Sequence, residues 1–141
     1  MTRHSGPAMT ALAIVGLVVA IYLAVTKLLG AAPVCGPIRG CEDVAASPYS
    51  EFFGVPVALL GVGFSVALVA LSLAWWRTAA RRALLGAYGL GLLGCFVVAG
   101  LTYLELFVIH AVCIYCVVYA VTVVAGFAMA AASVRRAPTA D

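Results

Sequence analysis

Four apolar runs leave this chain little choice of fold. Ala8–Leu29, Val55–Trp76, Ala83–Leu104 and Ala111–Val134 are each long enough to cross a bilayer, which takes ~20 residues of helix. The chain is 66% hydrophobic and 9% charged, far from the mix of a soluble domain. Inside lipid, backbone N–H and C=O groups have only protein for partners, so runs of this length are helices. The sequence predicts an all-α integral membrane protein, a four-transmembrane-helix bundle forming one domain over residues 1–141. Little is left over for a soluble appendage. The first run exceeds the ~7–15 residues of a signal-peptide core and has no convincing cleavage site, so it reads as a retained helix.

Basic residues set the orientation. Arg3, Arg77, Arg81, Arg82, Arg135 and Arg136 fall on one face of a four-span topology, and only Lys27 and Arg39 on the other. The positive-inside bias puts both termini in the cytoplasm. The net charge of +3 is accounted for by these membrane edges and implies no nucleic-acid partner. Trp75-Trp76-Arg77 reads as an interfacial aromatic belt closed by a charge. Gly86, Gly89, Gly91, Gly94 and Gly100 make the third run suited to close helix contact. Residues 106–112 read as a tight turn into the fourth run.

The one substantial loop, 31–53, holds Cys35 and Cys41 with Gly36, Pro37 and Gly40 between them, which forbids regular helix there. Ser47-Pro48 then has the form of a helix start, Ser47 as N-cap and Pro48 at the first position. Tyr49, Phe52 and Phe53 make that turn amphipathic, so a short surface helix is expected between the first two spans.

Cys113-Ile114-Tyr115-Cys116 stands at the head of the fourth run. The first turn of a helix presents unpaired N–H groups and a partial positive charge, both of which favour a thiolate. With the topology above, this pair and Cys35/Cys41 emerge on the same outer face. An oxidising compartment suits them there. Two dithiols on one face suit a relay, in which thiolate attacks disulfide and an electron pair passes from one pair to the next. The loop pair would meet a soluble partner and the helix-head pair a lipid-soluble oxidant. No haem or flavin motif is visible, and a membrane quinone fits that location.

The segments Cys35…Cys41-Glu42-Asp43-Val44-Ala45-Ala46-Ser47-Pro48-Tyr49-Ser50, Phe53-Gly54-Val55-Pro56-Val57-Ala58-Leu59-Leu60-Gly61 and Cys113-Ile114-Tyr115-Cys116 together resemble the vitamin K epoxide reductase family, and its bacterial branch in particular. The resemblance implies a four-helix bundle around a quinone, menaquinone or ubiquinone, in a bacterial cytoplasmic membrane. It implies an active-site disulfide of Cys113 and Cys116, with Cys116 nearest the quinone. Cys35 and Cys41 would shuttle electrons from a thioredoxin-fold protein. Ser47 matches the family serine near the reactive centre. Ser50 and Phe53 match positions lining the quinone pocket, Ser50 standing where animal enzymes have asparagine. Animal enzymes also place a tyrosine four residues past the second active-site cysteine. That position is Ala120 here and Tyr119 falls one short. The departure argues against a tyrosine hydrogen bond to the quinone and against vitamin K epoxide as substrate. Many bacterial members carry a fused thioredoxin-like domain. With the sequence ending at Asp141, a separate DsbA-like partner is expected.

Which loop cysteine exchanges with Cys113 stays open: Cys41 toward Cys113 with Cys35 toward the partner, or the reverse. Cys95, mid-span in the third run, reads as a small packing residue. His110 reads as an interfacial residue or a hydrogen-bond donor to thiolate or quinone. Glu105 is expected near the outer interface, either solvated or handling protons. Arg39 reads as solvated, or as lowering a loop thiol's pKa. Tyr115 and Tyr119 read as interface or core aromatics. No metal site is assigned. The competing class is a transporter passing a soft cation between paired cysteines, which would want thiols along the path, where only Cys95 lies. A disulfide-stapled structural protein leaves the helix-head pair unexplained. The other four-helix quinone-linked oxidases, the DsbB family, lack the Ser-Pro-Tyr and Phe-Gly-Val-Pro segments.

Overall fold

The structure, a computed structural model, describes residues 5–29, 51–52, 55–78, 80–109 and 114–136. Four long helices make up nearly all of it: α1 (Ser5–Leu28), α2 (Val57–Thr78), α3 (Arg81–Tyr103) and α4 (Ile114–Arg136). All four are long and apolar enough to cross a membrane. At 1.5 Å per residue each reaches roughly 33–36 Å, against a hydrocarbon core of ~30 Å. The expected surface helix falls mainly on 47–50, outside the described residues. Where the chain is described again, β1 (Glu51–Phe52) pairs antiparallel with β2 (Val55–Pro56), Glu51 opposite Pro56 and Phe52 opposite Val55. A tight extended reversal, rather than helix, leads into α2.

The helices form a ring in chain order. α1 packs on α2 and α4, α3 packs on α2 and α4, and the diagonal backbones stay apart. Their sense alternates. Gly6 at the start of α1 lies against Trp76 at the end of α2, where an added Cβ would come within 2.8 Å of the Trp76 Cβ. Met9, Trp75, Ala83, Leu84, Ala87 and Ala130 form one buried cluster. This core therefore joins the start of α1, the end of α2, the start of α3 and the end of α4. Arg77, Arg81, Arg82, Arg135 and Arg136 belong to that same end. The α2–α3 turn there is held by Thr78, whose hydroxyl accepts the Ala80 N–H at 3.4 Å. Trp75 is core rather than belt, with its Nε1 buried and without a hydrogen-bond partner. Trp76, 47% exposed, keeps the belt position.

Outward faces are apolar: Phe96, Val18 and Val121 are largely exposed. In water that surface would aggregate, whereas lipid covers it at no cost. Inward faces are small. Gly16, Ala20 and Ala24 are all buried on α1, one helical turn apart. This small-xxx-small stripe lets backbones approach closely. On α3 the buried residues Leu84, Ala87, Gly91, Gly94 and Val98 follow a three-four rhythm, the seam of a left-handed bundle, and Glu105 just beyond the helix falls on the same seam. Gly91 sits under Phe127, and Gly94 sits so close under the tip of the Phe64 ring that a Cβ there would have to displace it. Gly89 and Gly100 have nothing near them, so only part of the glycine content serves helix contact. Hydroxyls within the spans bond back to their own helices, Thr10 to the Gly6 carbonyl at 2.9 Å and Ser72 to the Leu68 carbonyl at 2.8 Å, which satisfies them without water.

Gly94→Val should lower stability by about 1–3 kcal/mol through overpacking against Phe64. Gly100→Val should leave it nearly unchanged. Thermal unfolding of the two variants in detergent, side by side, reads the difference.

Candidate functional site

The cysteine-bearing end lies opposite the arginine core, at the end of α1, the start of α2, the end of α3 and the start of α4. Cys116, half-buried, is in the first turn of α4. That is the helix-head position expected from the sequence. Cys113, Cys35, Cys41, Ser47, Ser50, Phe53, His110 and Arg39 lie outside the described residues. Cys95 is in the middle of α3, partly buried, well away from this end.

Around Cys116 the end is aromatic and apolar. Tyr115 on α4 meets Tyr22 on α1 with ring centroids 5.0 Å apart, tilted by 46°. This pair closes the α1–α4 seam beside the cysteine turn. Val117 and Val118 are exposed to the lipid side. On α3 the helix does not stop for a tight turn at Leu106. It continues as a π-helical segment, Leu104–Ile109. Such wide turns are rare and recur at functional sites. Glu105 lies in that segment and is 5% exposed, so of the two readings the sequence left open, the solvated one is excluded. Its place on the three-four seam of α3, seven residues after Val98, was the available signal.

One turn below Cys116, Tyr119 reaches across the bundle. Its hydroxyl donates to the Gly61 carbonyl on α2 at 3.2 Å and lies 3.0 Å from the Ser65 Oγ. With the phenolic proton committed to Gly61, Ser65 donates to the phenol oxygen. α2 and α4 are diagonal partners, so this side chain spans a gap their backbones do not close. Thr122, one turn further along, returns its hydroxyl to the Tyr119 carbonyl at 2.7 Å. Gly16 on α1 makes room for the assembly: an added Cβ would stand 3.2 Å from the Thr122 Oγ1 and 3.6 Å from the Tyr119 ring. Sequence reading singled out neither Ser65 nor its link to Tyr119. Gly61 and Ser65 stand four apart on an otherwise apolar helix, and that spacing was the only trace.

Below the bridge runs a narrow cavity of about 30 Å³, reaching from Ser65 and Tyr119 toward Met9, Ser72 and Phe127. It has room for about one or two waters and none for an aromatic ring. The half-buried Cys116, the Tyr22–Tyr115 pair and the lipid-facing valines at the cysteine end fit a flat lipid-soluble ligand in character.

A sequence model described as the vitamin K epoxide reductase family matches residues 7–131. That stretch runs from α1 nearly to the end of α4. No curated protein matches the chain.

Replacing Tyr119 by Phe should destabilise the bundle more than replacing Ser65 by Ala, because it removes both hydrogen bonds. A double-mutant cycle on the pair should return a coupling of about 0.6 kcal/mol, the usual size for such bonds between membrane helices. Additive losses in unfolding experiments would mean the bridge holds by packing alone.

Proposed function

The chain belongs to the vitamin K epoxide reductase family, and from that membership we propose that it is a quinone-dependent thiol oxidase that reoxidises a DsbA-like, thioredoxin-fold protein. The family makes it an oxidoreductase, and the four long apolar helices make it a multi-pass membrane protein. The observation that carries the finer reading is the position of Cys116. It heads α4 at the end of the bundle away from the arginines, where a thiol is both activated and within reach of the lipid.

In this reading the partner's dithiol attacks the Cys35–Cys41 disulfide through a mixed disulfide and leaves oxidised. The reduced loop pair then attacks the Cys113–Cys116 disulfide in the same way, so each exchange passes two electrons and regenerates one disulfide. A quinone bound at this end would supply the sink for two electrons and two protons from the last dithiol. The chain's own contribution is to hold Cys116 at a helix head, beside the apolar, aromatic wall of Tyr22 and Tyr115. Ser47, Ser50 and Phe53 would complete the pocket. The protein would sit in a bacterial cytoplasmic membrane with both termini inside, so that the exchanges drive disulfide formation in exported proteins.

Purified protein should reduce a menaquinone or ubiquinone analogue when supplied with a reduced DsbA-like protein. Cys116→Ser should bring the rate to background with any electron donor. Cys35→Ser should abolish the protein-driven reaction alone, leaving that driven by dithiothreitol. Wild-type protein that reduces no quinone and binds a soft metal stoichiometrically would replace the oxidase with a transporter. Orientation has its own check. In sealed right-side-out vesicles a membrane-impermeant maleimide should label reduced Cys35 and Cys41, and labelling only after the membrane is opened would invert the topology.

A further inference from the structure

We propose that Tyr119 is the floor of the space beneath Cys116, setting how deep, and therefore how large, a ring can sit against that thiol. The inference rests on the oxidase reading for the ring and for its place beside Cys116, and on the structure for the position of Tyr119. Cys116 and Tyr119 are three apart on α4 and so share a helix face, with about 4.5 Å of rise between them. Side chains on a helix lean toward its N-terminus, which tips the Tyr119 ring toward the cysteine turn. The far end of that ring is pinned on the diagonal helix by the Gly61 carbonyl and the Ser65 hydroxyl.

Close contacts hold the ring at its sides. Gly16 offers it space on α1, and Gly61 stands with its missing Cβ 3.6 Å from the phenol oxygen and 3.7 Å from the Ala20 Cβ. The cavity of about 30 Å³ lined by Ser65 and Tyr119 runs from them toward the arginine end. The phenol thus divides the bundle interior: above it the cysteine turn, below it a space fit only for water. Its hydroxyl is used in holding it there. Tyr119 acts on the ligand as a boundary rather than as a hydrogen-bond donor.

The test uses the full-length, dithiothreitol-reduced protein and reads Cys116 by peptide mass spectrometry. Alkylation by N-methylmaleimide and by the bulkier N-phenylmaleimide is timed in wild type, Tyr119→Phe and Tyr119→Ala. Removing the ring should raise the bulky-to-small rate ratio about tenfold, the scale on which pocket volume discriminates ligands. Tyr119→Phe, which keeps the ring, should hold the wild-type ratio. Tyr119→Leu stands in if the alanine variant does not fold, with a smaller shift in the same direction. An unchanged ratio in the ring-less variant, or an equal shift in Tyr119→Phe, overturns the floor.

A parallel titration follows, by equilibrium dialysis, the binding of a one-ring benzoquinone and a two-ring naphthoquinone. Tyr119→Ala should move the preference toward the larger ring by about tenfold, and no movement counts against the floor. Wild-type protein that binds neither quinone would remove the oxidase reading, while the alkylation ratios still decide the floor.

Discussion

In lipid, four apolar helices gain little by hiding carbon from their surroundings, because the acyl chains are as apolar as leucine. Close approach of the helices has to supply the attraction instead. This bundle obtains it from missing side chains. Gly16, Ala20 and Ala24 line α1, and Gly91 and Gly94 lie under Phe127 and Phe64. The two kinds of contact differ in weight. An interhelical hydrogen bond such as Tyr119–Ser65 is worth about 0.6 kcal/mol on average, while misfilling one packed site costs about 1–3 kcal/mol. Packing therefore decides whether the ring of helices closes, and the polar bridge decides a finer matter, the setting of α4 against its diagonal partner.

The two ends of the bundle are built to different standards. At the arginine end a single cluster ties all four helices together, from Met9 and Trp75 through Leu84 to Ala130. At the cysteine end the backbone departs from ideal geometry: α2 is entered through a two-residue strand pair and α3 leaves through a π turn. Irregular backbone at membrane depth is tolerated where protein or water covers it. A buried carboxylate at Glu105 adds a group that lipid would not accept.

Much of this was legible beforehand for a simple reason. A bilayer of fixed thickness demands apolar runs of fixed length, so the runs ending at Leu29, Trp76, Leu104 and Val134 came within two or three residues of the helices found. The arginines and the cysteine pair were likewise readable as opposite ends. What failed to show was which residue faces which neighbour. In a chain this apolar, polarity no longer separates inside from outside. Trp75 passed for a belt residue although it is core, and the sequence left Glu105 open between a solvated acid and a proton-handling one although it continues the α3 seam. Both are settled by helical phase and by partners distant in sequence. The same holds for Ser65, fifty-four residues from the phenol it meets.

That phase also explains what a one-residue displacement of the tyrosine does. Each residue turns the helix by about 100°. A side chain three past Cys116 therefore lies about 60° to one side of it, and one four past lies about 40° to the other. Ala120, at the second position, brings no polar atom to its side. Tyr119, at the first, swings across the bundle and spends its hydroxyl on Gly61 and Ser65. The family's tyrosine has thus not merely slipped along the helix. In this chain the phenol is bound to the diagonal helix in the bundle's interior. Phase, set by a single residue, thus decides whether a phenol on this helix meets the diagonal helix.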